Sequence, residues 1–302
     1  MDMVLTLVGN ARQPLTDELT RTIRAVVDNP GPLTRLGPDA AEFTLSLRPA
    51  DISEVEARAV DALDGAPVDL ALTPARNRRK RLLIADMDST MITVECIDEL
   101  ADFAGVRDAV SGITERAMRG EIDFEGALLE RVGLMQGLAE GVLQQAFDTR
   151  VQLTGGARTL LATMKAGGAH AALVSGGFTF FTERVARLAG FDEHHANTLL
   201  FADGVLTGDV ARPILGQQAK LDQLNRITEA LGIGLDDALA VGDGANDLAM
   251  IQASGLGVAF HAKPVTANAA GARVVHGDLT TLLYYQGIPF SDWTVVGEEQ
   301  RQ

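Results

Sequence analysis

Two aspartates stand two residues apart at the end of a short apolar run. The run Leu82–Ala85 predicts a buried strand, and Asp86 and Asp88 follow it closely. In extended backbone, residues i and i+2 point to the same side, so we expect both carboxylates to face one point in space. Like charges that close together repel each other and raise a pKa unless a cation neutralises them. Taken alone, the pair could also be a helix cap or a solvated turn.

A second acidic turn favours the cation. The apolar run Ala238–Val241 ends in the hexapeptide GDGAND, residues 242–247, which adds two carboxylates at another strand end. Ligands of an open parallel sheet bind beyond the carboxyl ends of its strands, so both acidic turns should meet in one crevice. Mg²⁺ suits such a crevice, because it needs only one or two carboxylates when water and a substrate phosphate complete its shell. The pattern therefore predicts a magnesium site.

Two further features could bind phosphate. Ser175-Gly176-Gly177 closes the apolar run that begins at Ala169, and it precedes a helical pattern. A helix N-terminus offers unpaired N–H groups and partial positive charge, and glycines let the backbone approach a phosphate closely. Lys220, at the start of another helical run, could add a full positive charge. Each feature has an ordinary alternative, an N-cap for the serine and a solvated side chain for the lysine.

The elements that must position these residues alternate along the chain. From residue 167 onward, strand-like and helical runs follow one another, which predicts a parallel sheet flanked by helices. Residues 93–149 are almost entirely helical in pattern and predict an insert after the first strand. Asp203-Gly204 lies between two short apolar runs, which predicts a β-hairpin within residues 198–210.

The first quarter of the chain follows a different plan. Residues 1–76 read as β-α-β-β-α-β, the ferredoxin-like arrangement. Residues 74–81 come next, and five of these eight are basic. We interpret them as a solvated linker rather than a nucleic-acid or lipid patch, because the rest of the chain is acidic. We also interpret His194-His195 as part of a surface loop rather than half of a metal site.

The composition limits the class of protein. The chain has 302 residues and a net charge of −15, which argues against nucleic-acid and anionic-membrane partners. Its single cysteine, Cys96, excludes an intrachain disulfide and fits a reducing compartment. No apolar run reaches the roughly 18 residues of a membrane span. The N-terminal apolar residues lack the basic flank of a signal peptide, so we do not expect one. We therefore expect a cytoplasmic protein.

In combination, the motifs resemble those of the haloacid-dehalogenase-like phosphohydrolases. That family has an Asp-x-Asp after its first strand, a Ser or Thr after the second, a distant Lys and an acidic Gly-Asp-x-x-x-Asp turn. The matches here are DMDST at 86–90, Ser175, Lys220 and GDGAND at 242–247. The resemblance implies an α/β fold, with a Rossmann-like parallel sheet and a helical cap at about 93–149, in a phosphatase domain spanning 77–302. Residues 1–76 resemble an ACT-type domain.

The resemblance also implies a reaction. Glu95 and the sequences DFEGALLERVGLMQG at 123–137 and SGGF at 175–178 are similar to the branch of the family that hydrolyses O-phospho-L-serine, the last step of serine biosynthesis. By this resemblance, Asp86 is the nucleophile that forms an aspartyl-phosphate. Asp88 is then the general acid for the serine leaving group, and afterwards the base that activates water.

Ligand roles follow from the same resemblance. Mg²⁺ would be held by Asp86, the backbone carbonyl of Asp88 and Asp243. Asp247 and Asn246 would support the metal shell and the phosphate. The groups expected to stabilise charge on the transferring oxygens are Ser175, the Gly176 N–H and Lys220.

Substrate specificity is expected from the cap. By the resemblance, Glu95 pairs with the ammonium of phosphoserine, Arg131 clamps its carboxylate, and Phe124 covers the site. Without the family pattern, the same residues would be interpreted as a surface acid, a salt-bridge partner and a core aromatic.

Other functions stay open from the sequence. The chain could be a phosphatase or phosphotransferase of the same fold that acts on another small phosphomonoester. It could also be an amino-acid-sensing regulatory protein with a dormant phosphatase domain. The ACT-type resemblance implies a homodimer through the N-terminal domain and an amino-acid effector.

Overall fold

The computed structural model describes residues 1–10, 13–119 and 121–297, and its N-terminal part is an antiparallel sheet with two helices. Strand order is β2-β3-β1-β4, and the order of elements along the chain is the predicted β-α-β-β-α-β. One face of the sheet packs against both helices and forms a core of its own. The elements are β1 (Asp2–Val8), α1 (Asp17–Val26), β2 (Thr34–Gly37), β3 (Ala40–Ser46), α2 (Ile52–Asp61) and β4 (Asp69–Pro74).

The basic segment after β4 lies against both parts of the chain. The Arg78 guanidinium is 2.7 Å from Oε2 of Glu42 in β3, and it also donates to the carbonyls of Tyr284 and Tyr285. Both charged side chains are largely buried, at 13% and 16% exposure. The interpretation of this segment as solvated is therefore wrong at Arg78. The largely buried Glu42 carboxylate needs a positively charged partner, and Arg78 provides it.

The rest of the chain is built on a six-stranded parallel sheet in the order β12-β11-β10-β5-β6-β7. Its central strands read as continuous apolar runs because helices cover both faces, and all four residues of β5 are 0% exposed. The elements are β5 (Leu82–Ala85), α3 (Cys96–Phe103), α4 (Arg107–Met118), α5 (Phe124–Leu134), α6 (Gly141–Arg150), α7 (Ala157–Ala166), β6 (His170–Phe178), α8 (Thr179–Ala189), β7 (Glu193–Asn197), β8 (Leu199–Ala202), β9 (Val205–Val210), α9 (Gln217–Leu231), β10 (Ala238–Gly242), α10 (Leu248–Ala253), β11 (Leu256–Phe260), α11 (Pro264–Ala269), β12 (Ala272–Val274) and α12 (Thr281–Tyr285).

Helices α3 to α6 form the helical insert that was predicted after β5, and the β8–β9 hairpin joins it. The hairpin turns at Asp203 and Gly204, both at positive φ, which confirms the turn signal. Backbone hydrogen bonds of 2.8 Å link Leu206 in β9 to Gly137 and Leu138 in the helical insert. The cap therefore has a second piece that the sequence pattern did not assign to it.

The sheet edge at β7 corrects another prediction. His194 and His195 lie in this strand and not in a surface loop, and both are half-buried. Nδ1 of His194 is 3.0 Å from the hydroxyl of Thr182, and Nε2 of His195 is 2.8 Å from Oε2 of Glu193.

None of the helices in the described residues combines the length and the apolar character that a membrane crossing requires.

Candidate active site

Three adjacent strands, β10, β5 and β6, end at the candidate site. Asp86 directly follows β5, and its N–H donates to the carbonyl of Val241 at 3.0 Å, which aligns it with β10. The chain then makes a wide turn, closed by a 3.0 Å hydrogen bond from the Ile92 N–H to the Met87 carbonyl. Within this turn Ser89 has a φ of 54°, an uncommon value for a residue other than glycine.

A buried lysine joins two of the acids. Nζ of Lys220 lies 2.6 Å from Oδ1 of Asp86 and 2.5 Å from Oδ1 of Asp247. Lys220 is 1% exposed and Asp247 is 0% exposed, which excludes the solvated-lysine alternative. Burial on its own would lower the pKa of Lys220, but the carboxylates of Asp247 and Asp86 outweigh it and raise that pKa above its usual value. Lys220 is therefore a fixed cation inside the site.

Asp243 completes an acidic cluster with Asp86 and Asp247. One carboxylate oxygen of each residue lies within 4.8 Å of the other two. Burial, together with the charge of Asp247, raises the pKa of Asp86 well above its usual value despite the nearby Lys220. Burial, Asp247 and Glu95 likewise raise the pKa of Asp243 to about 6. The Lys220 ammonium contacts Asp86 and Asp247, so the crowded cluster keeps an excess of negative charge and its oxygen ligands fit a metal ion.

Asp88 has different surroundings. Its Oδ1 accepts a hydrogen bond from the Cys96 N–H at 2.9 Å, and its Oδ2 accepts one from the Ser175 hydroxyl at 3.3 Å. Burial, together with the negative charge of Glu95, raises the pKa of Asp88 to about 7. A carboxyl group with that pKa can both give and take a proton near neutral pH.

The Ser175 turn lies beside Asp88 at the end of β6. The Gly177 N–H donates to Oγ of Ser175 at 2.9 Å, and α8 begins two residues later, so the turn lies at a helix N-terminus as predicted. A Cβ at Gly177 would lie 2.7 Å from Oδ2 of Asp88. The close approach of the turn to Asp88 therefore requires glycine at this position.

Glu95 and Arg131 lie near the acids, on the cap side. The Ser89 hydroxyl donates to Oε1 of Glu95 at 2.6 Å, and Nε of Arg131 donates to the Ala127 carbonyl at 3.1 Å. Burial lowers the pKa of Arg131, although the negative charges of Asp98, Glu95 and Asp88 oppose the effect. The guanidinium therefore adds positive charge close to the acids.

Phe124 lies in the cap helix α5, and Asn246 lies in the second acidic turn. Phe124, the first residue of α5, packs its ring against the Cα atoms of two glycines outside the cap. A Cβ at Gly176 would lie 2.9 Å from Cζ of that ring, and one at Gly216 would lie 3.2 Å from its Cδ1. Asn246 is half-buried, directly before Asp247 in the second acidic turn. The structure thus brings every predicted site residue to one region.

Two residues of this region were missed by sequence reasoning. Thr90 is fully buried, and its hydroxyl lies 3.4 Å from Oδ1 of Asp243. Asn197 is 2% exposed at the end of β7, and its Nδ2 donates to the carbonyl of Gly176. The available signal for Thr90 was its position inside DMDST. For Asn197 it was an amide at the end of a short polar segment, which periodicity cannot distinguish from a loop.

The site combines clustered metal ligands with a fixed cation and a helix N-terminus, the groups that bind a phosphate ester and stabilise its negative charge. Fold and site together therefore define a capped α/β phosphohydrolase. The chain belongs to the haloacid dehalogenase-like hydrolase family, whose model matches residues 83–252, more than half of its length. This match does not include the N-terminal sheet, so the ACT-type assignment stays a prediction.

The chain is also similar to named relatives. It is 41% identical to a phosphoserine phosphatase of Archaeoglobus fulgidus over 250 residues, which are 82% of this chain and 72% of that one. It is 40% identical to a phosphoserine phosphatase of Streptomyces coelicolor over 298 residues, covering 94% and 70% of the two chains. Among solved structures, a probable phosphoserine phosphatase from Vibrio cholerae matches with a TM-score of 0.77 at 29% identity, over 96% of this chain and 88% of that one.

Proposed function

We propose that this chain is a Mg²⁺-dependent phosphatase that hydrolyses O-phospho-L-serine to L-serine and phosphate. The observation that carries the proposal is the different environment of two neighbouring acids. Asp86 shares a buried lysine with Asp247, whereas Asp88 accepts hydrogen bonds from Ser175 and the Cys96 N–H and has a pKa raised to about 7. The names of the similar relatives support the choice of substrate.

Asp86 is the nucleophile in this proposal. One of its carboxylate oxygens forms a bond to phosphorus while the bond from phosphorus to the serine oxygen breaks. Protonated Asp88 gives its proton to that serine oxygen, and L-serine leaves. Ionised Asp88 then takes a proton from water, which attacks phosphorus, breaks the aspartyl-phosphate bond and releases phosphate. Lys220, 2.6 Å from Asp86, stabilises the negative charge that surrounds phosphorus.

Asp86 and Asp243 would hold the magnesium ion, together with the backbone carbonyl of Asp88. Asp247 and Asn246 would support that shell. Carboxylate oxygens are the ligands that Mg²⁺ prefers, and the excess negative charge of the cluster favours a divalent ion. When bound, the ion neutralises the acids and the phosphate oxygens, so that an anionic substrate can enter an acidic site.

The cap provides the specificity. The Glu95 carboxylate pairs with the substrate ammonium, and Arg131 binds the substrate carboxylate. Phe124 closes the site beside Gly176, next to the Ser175 hydroxyl and the Gly176 N–H that contact the phosphate. The charges of the cap residues therefore complement those of a phosphorylated amino acid.

A phosphate-release assay over a panel of small phosphomonoesters tests this function. The wild type should prefer O-phospho-L-serine and require Mg²⁺, and Asp86→Asn should be inactive. Arg131→Ala should lower kcat/KM for phosphoserine by about 10- to 100-fold, because it removes a charged hydrogen-bond partner. Arg107→Ala, on the exposed side of the cap, is the control. A wild type that cleaves other phosphomonoesters but not phosphoserine would contradict the choice of substrate.

We further propose that residues 1–76 are a separate ACT-type domain that forms a homodimer contact and binds an amino-acid effector, and that residues 77–302 are the phosphatase domain. The N-terminal sheet's own hydrophobic core supports this division. Light scattering on the full chain should give the mass of a dimer. Calorimetry should detect heat of L-serine binding in both the wild type and the Asp86→Asn variant. A monomer without such heat would contradict both roles of the domain.

A further inference from the structure

One buried amide at the end of β7 connects two backbone segments of the site. Nδ2 of Asn197 donates to the carbonyl of Gly176 at 2.8 Å and to the carbonyl of Leu215 at 3.1 Å. Its Oδ1 accepts the N–H of Leu215 at 2.7 Å. Asn197 is 2% exposed, so these bonds form away from water and neither segment can exchange them freely with solvent.

The two segments are the two sides of a slot for Phe124. Gly176 follows Ser175 at the end of β6, and Gly216 directly follows Leu215 and precedes α9. Both glycines lie so close to the Phe124 ring that a Cβ would be 2.9 Å from it at Gly176 and 3.2 Å from it at Gly216. The width of the slot therefore depends on the distance between the backbones at Gly176 and Leu215, and Asn197 bonds to both.

We propose that Asn197 is a positioning residue that sets the width of this glycine slot and thereby the closed position of Phe124. The inference rests on the proposed function, in which Phe124 covers the bound phosphoserine. Within the described residues, the hydrogen bonds of the Asn197 side chain go to Gly176 and Leu215 and not to the acidic cluster or to Lys220, which pairs with Asp86 and Asp247. Its effect on the reaction passes through Phe124.

The amide group is the chemical requirement at this position. The site presents two carbonyl acceptors and one N–H donor, and an asparagine side chain supplies the two matching donors and the acceptor. Aspartate would keep the acceptor for Leu215 but place a carboxylate oxygen against two carbonyls. Leucine would fill the volume and leave all three backbone groups without this partner.

A double-mutant cycle between Asn197→Ala and Phe124→Ala, measured as kcat/KM for phosphoserine, tests the proposal. Asn197→Ala alone should lower kcat/KM by up to about 100-fold, because a displaced lid misplaces the substrate. In the Phe124→Ala background, the same change should have an effect at least about 3-fold smaller, because the two residues act as one unit. Thr198→Ala, an exposed neighbour of Asn197, is the matched control and should leave the activity unchanged.

Amide hydrogen exchange at residues 214–217 tests the hydrogen bonds of Asn197 to this segment without any substrate. Asn197→Ala should speed exchange there, since the Leu215 N–H loses its acceptor. Unchanged exchange rates would contradict the role of Asn197 in holding this segment. An equal loss of kcat/KM from Asn197→Ala with and without Phe124→Ala would contradict the connection to Phe124. If Asn197→Ala does not fold, Gly216→Ala replaces it in the cycle with the same expectation and the same contradicting result. A wild type inactive on phosphoserine would refute the proposed function alone, because the exchange result is independent of it.

Discussion

Asp86 and Asp88 leave the same strand two residues apart, yet they have different partners. The spacing predicted only that both acids face one region. Lys220 and Asp247 come from distant elements, so the sequence could not show that Asp86 would share a cation while Asp88 would not. The division of roles between the two acids is a consequence of tertiary structure, and the family resemblance, not the spacing, anticipated it.

Asp88→Asn should separate proton transfer from metal binding. The amide cannot donate or accept the proton in question, so we expect kcat to fall about 10²- to 10⁴-fold. Binding of Mg²⁺ should persist, because the carboxylate of Asp88 is not one of the three that cluster. Steady-state kinetics and Mg²⁺ titration by calorimetry check this, with Asp108→Asn on the exposed surface of α4 as control. Loss of Mg²⁺ binding in Asp88→Asn would contradict the assignment.

The acids also predict how magnesium changes stability with pH. Folding raises the pKa of Asp243 to about 6 and that of Asp88 to about 7. A carboxyl whose folded pKa lies above its unfolded value destabilises the fold when ionised, so the metal-free protein should lose stability as pH rises from about 4 to 7. Mg²⁺ relieves that repulsion. We expect calorimetry to show a larger Mg²⁺-induced rise in Tm at pH 7.5 than at pH 5. An equal rise at both pH values would contradict repulsion between the ionised carboxylates as the cause.

At the scale of elements, apolar central strands could be predicted and polar edges could not. The residues of β5 are all buried, and the sequence predicted this strand at its observed bounds, Leu82–Ala85. β7 reads EHHAN and is half-buried at a sheet edge, so neither alternation nor an apolar run indicated it. The β8–β9 hairpin was predicted from its turn, but its place in the cap depends on contacts with residues 137–140, far along the chain.

Gly177→Ala tests how closely the β6 turn must approach the first acidic turn. The new Cβ would lie 2.7 Å from Oδ2 of Asp88 and 3.1 Å from Oγ of Ser175, so one of these groups must move. We expect kcat to fall at least about 10-fold with little change in Tm. Gly112→Ala, where a Cβ meets nothing within 4 Å, is the control and should remain fully active. Wild-type activity in Gly177→Ala would show that the turn is free to adjust.

At the scale of the whole molecule, the N-terminal sheet is fastened to the catalytic part by buried polar groups. Asp69 in β4 is 3% exposed and accepts hydrogen bonds from the N–H groups of Val275, His276 and Gly277 at 2.7 to 3.3 Å. The order of strand-like and helical runs predicted both sheets, but no sequence signal paired this aspartate with a loop about 200 residues later. Such a contact becomes visible only when the chain has folded.

Asp69→Asn should therefore weaken the junction. It removes a charge that accepts several backbone N–H groups, and a hydrogen bond to a charged group contributes about 1.5–3 kcal/mol. We expect urea unfolding of the full chain to show a loss of stability in that range, with Asp61→Asn, on the exposed end of α2, as control. If both variants unfold like the wild type, the Asp69 contact does not stabilise the junction.

The most direct test of Asp86 as the nucleophile is to locate the phosphoryl group on the enzyme during turnover. Phosphoserine with a labelled phosphate is mixed with the enzyme and Mg²⁺, the reaction is quenched in acid within one turnover, and the protein is digested and mapped by mass spectrometry. We expect label on Asp86 alone, and none in the Asp86→Asn variant. Phosphate release with no labelled residue, or with the label on a residue other than Asp86, would contradict it.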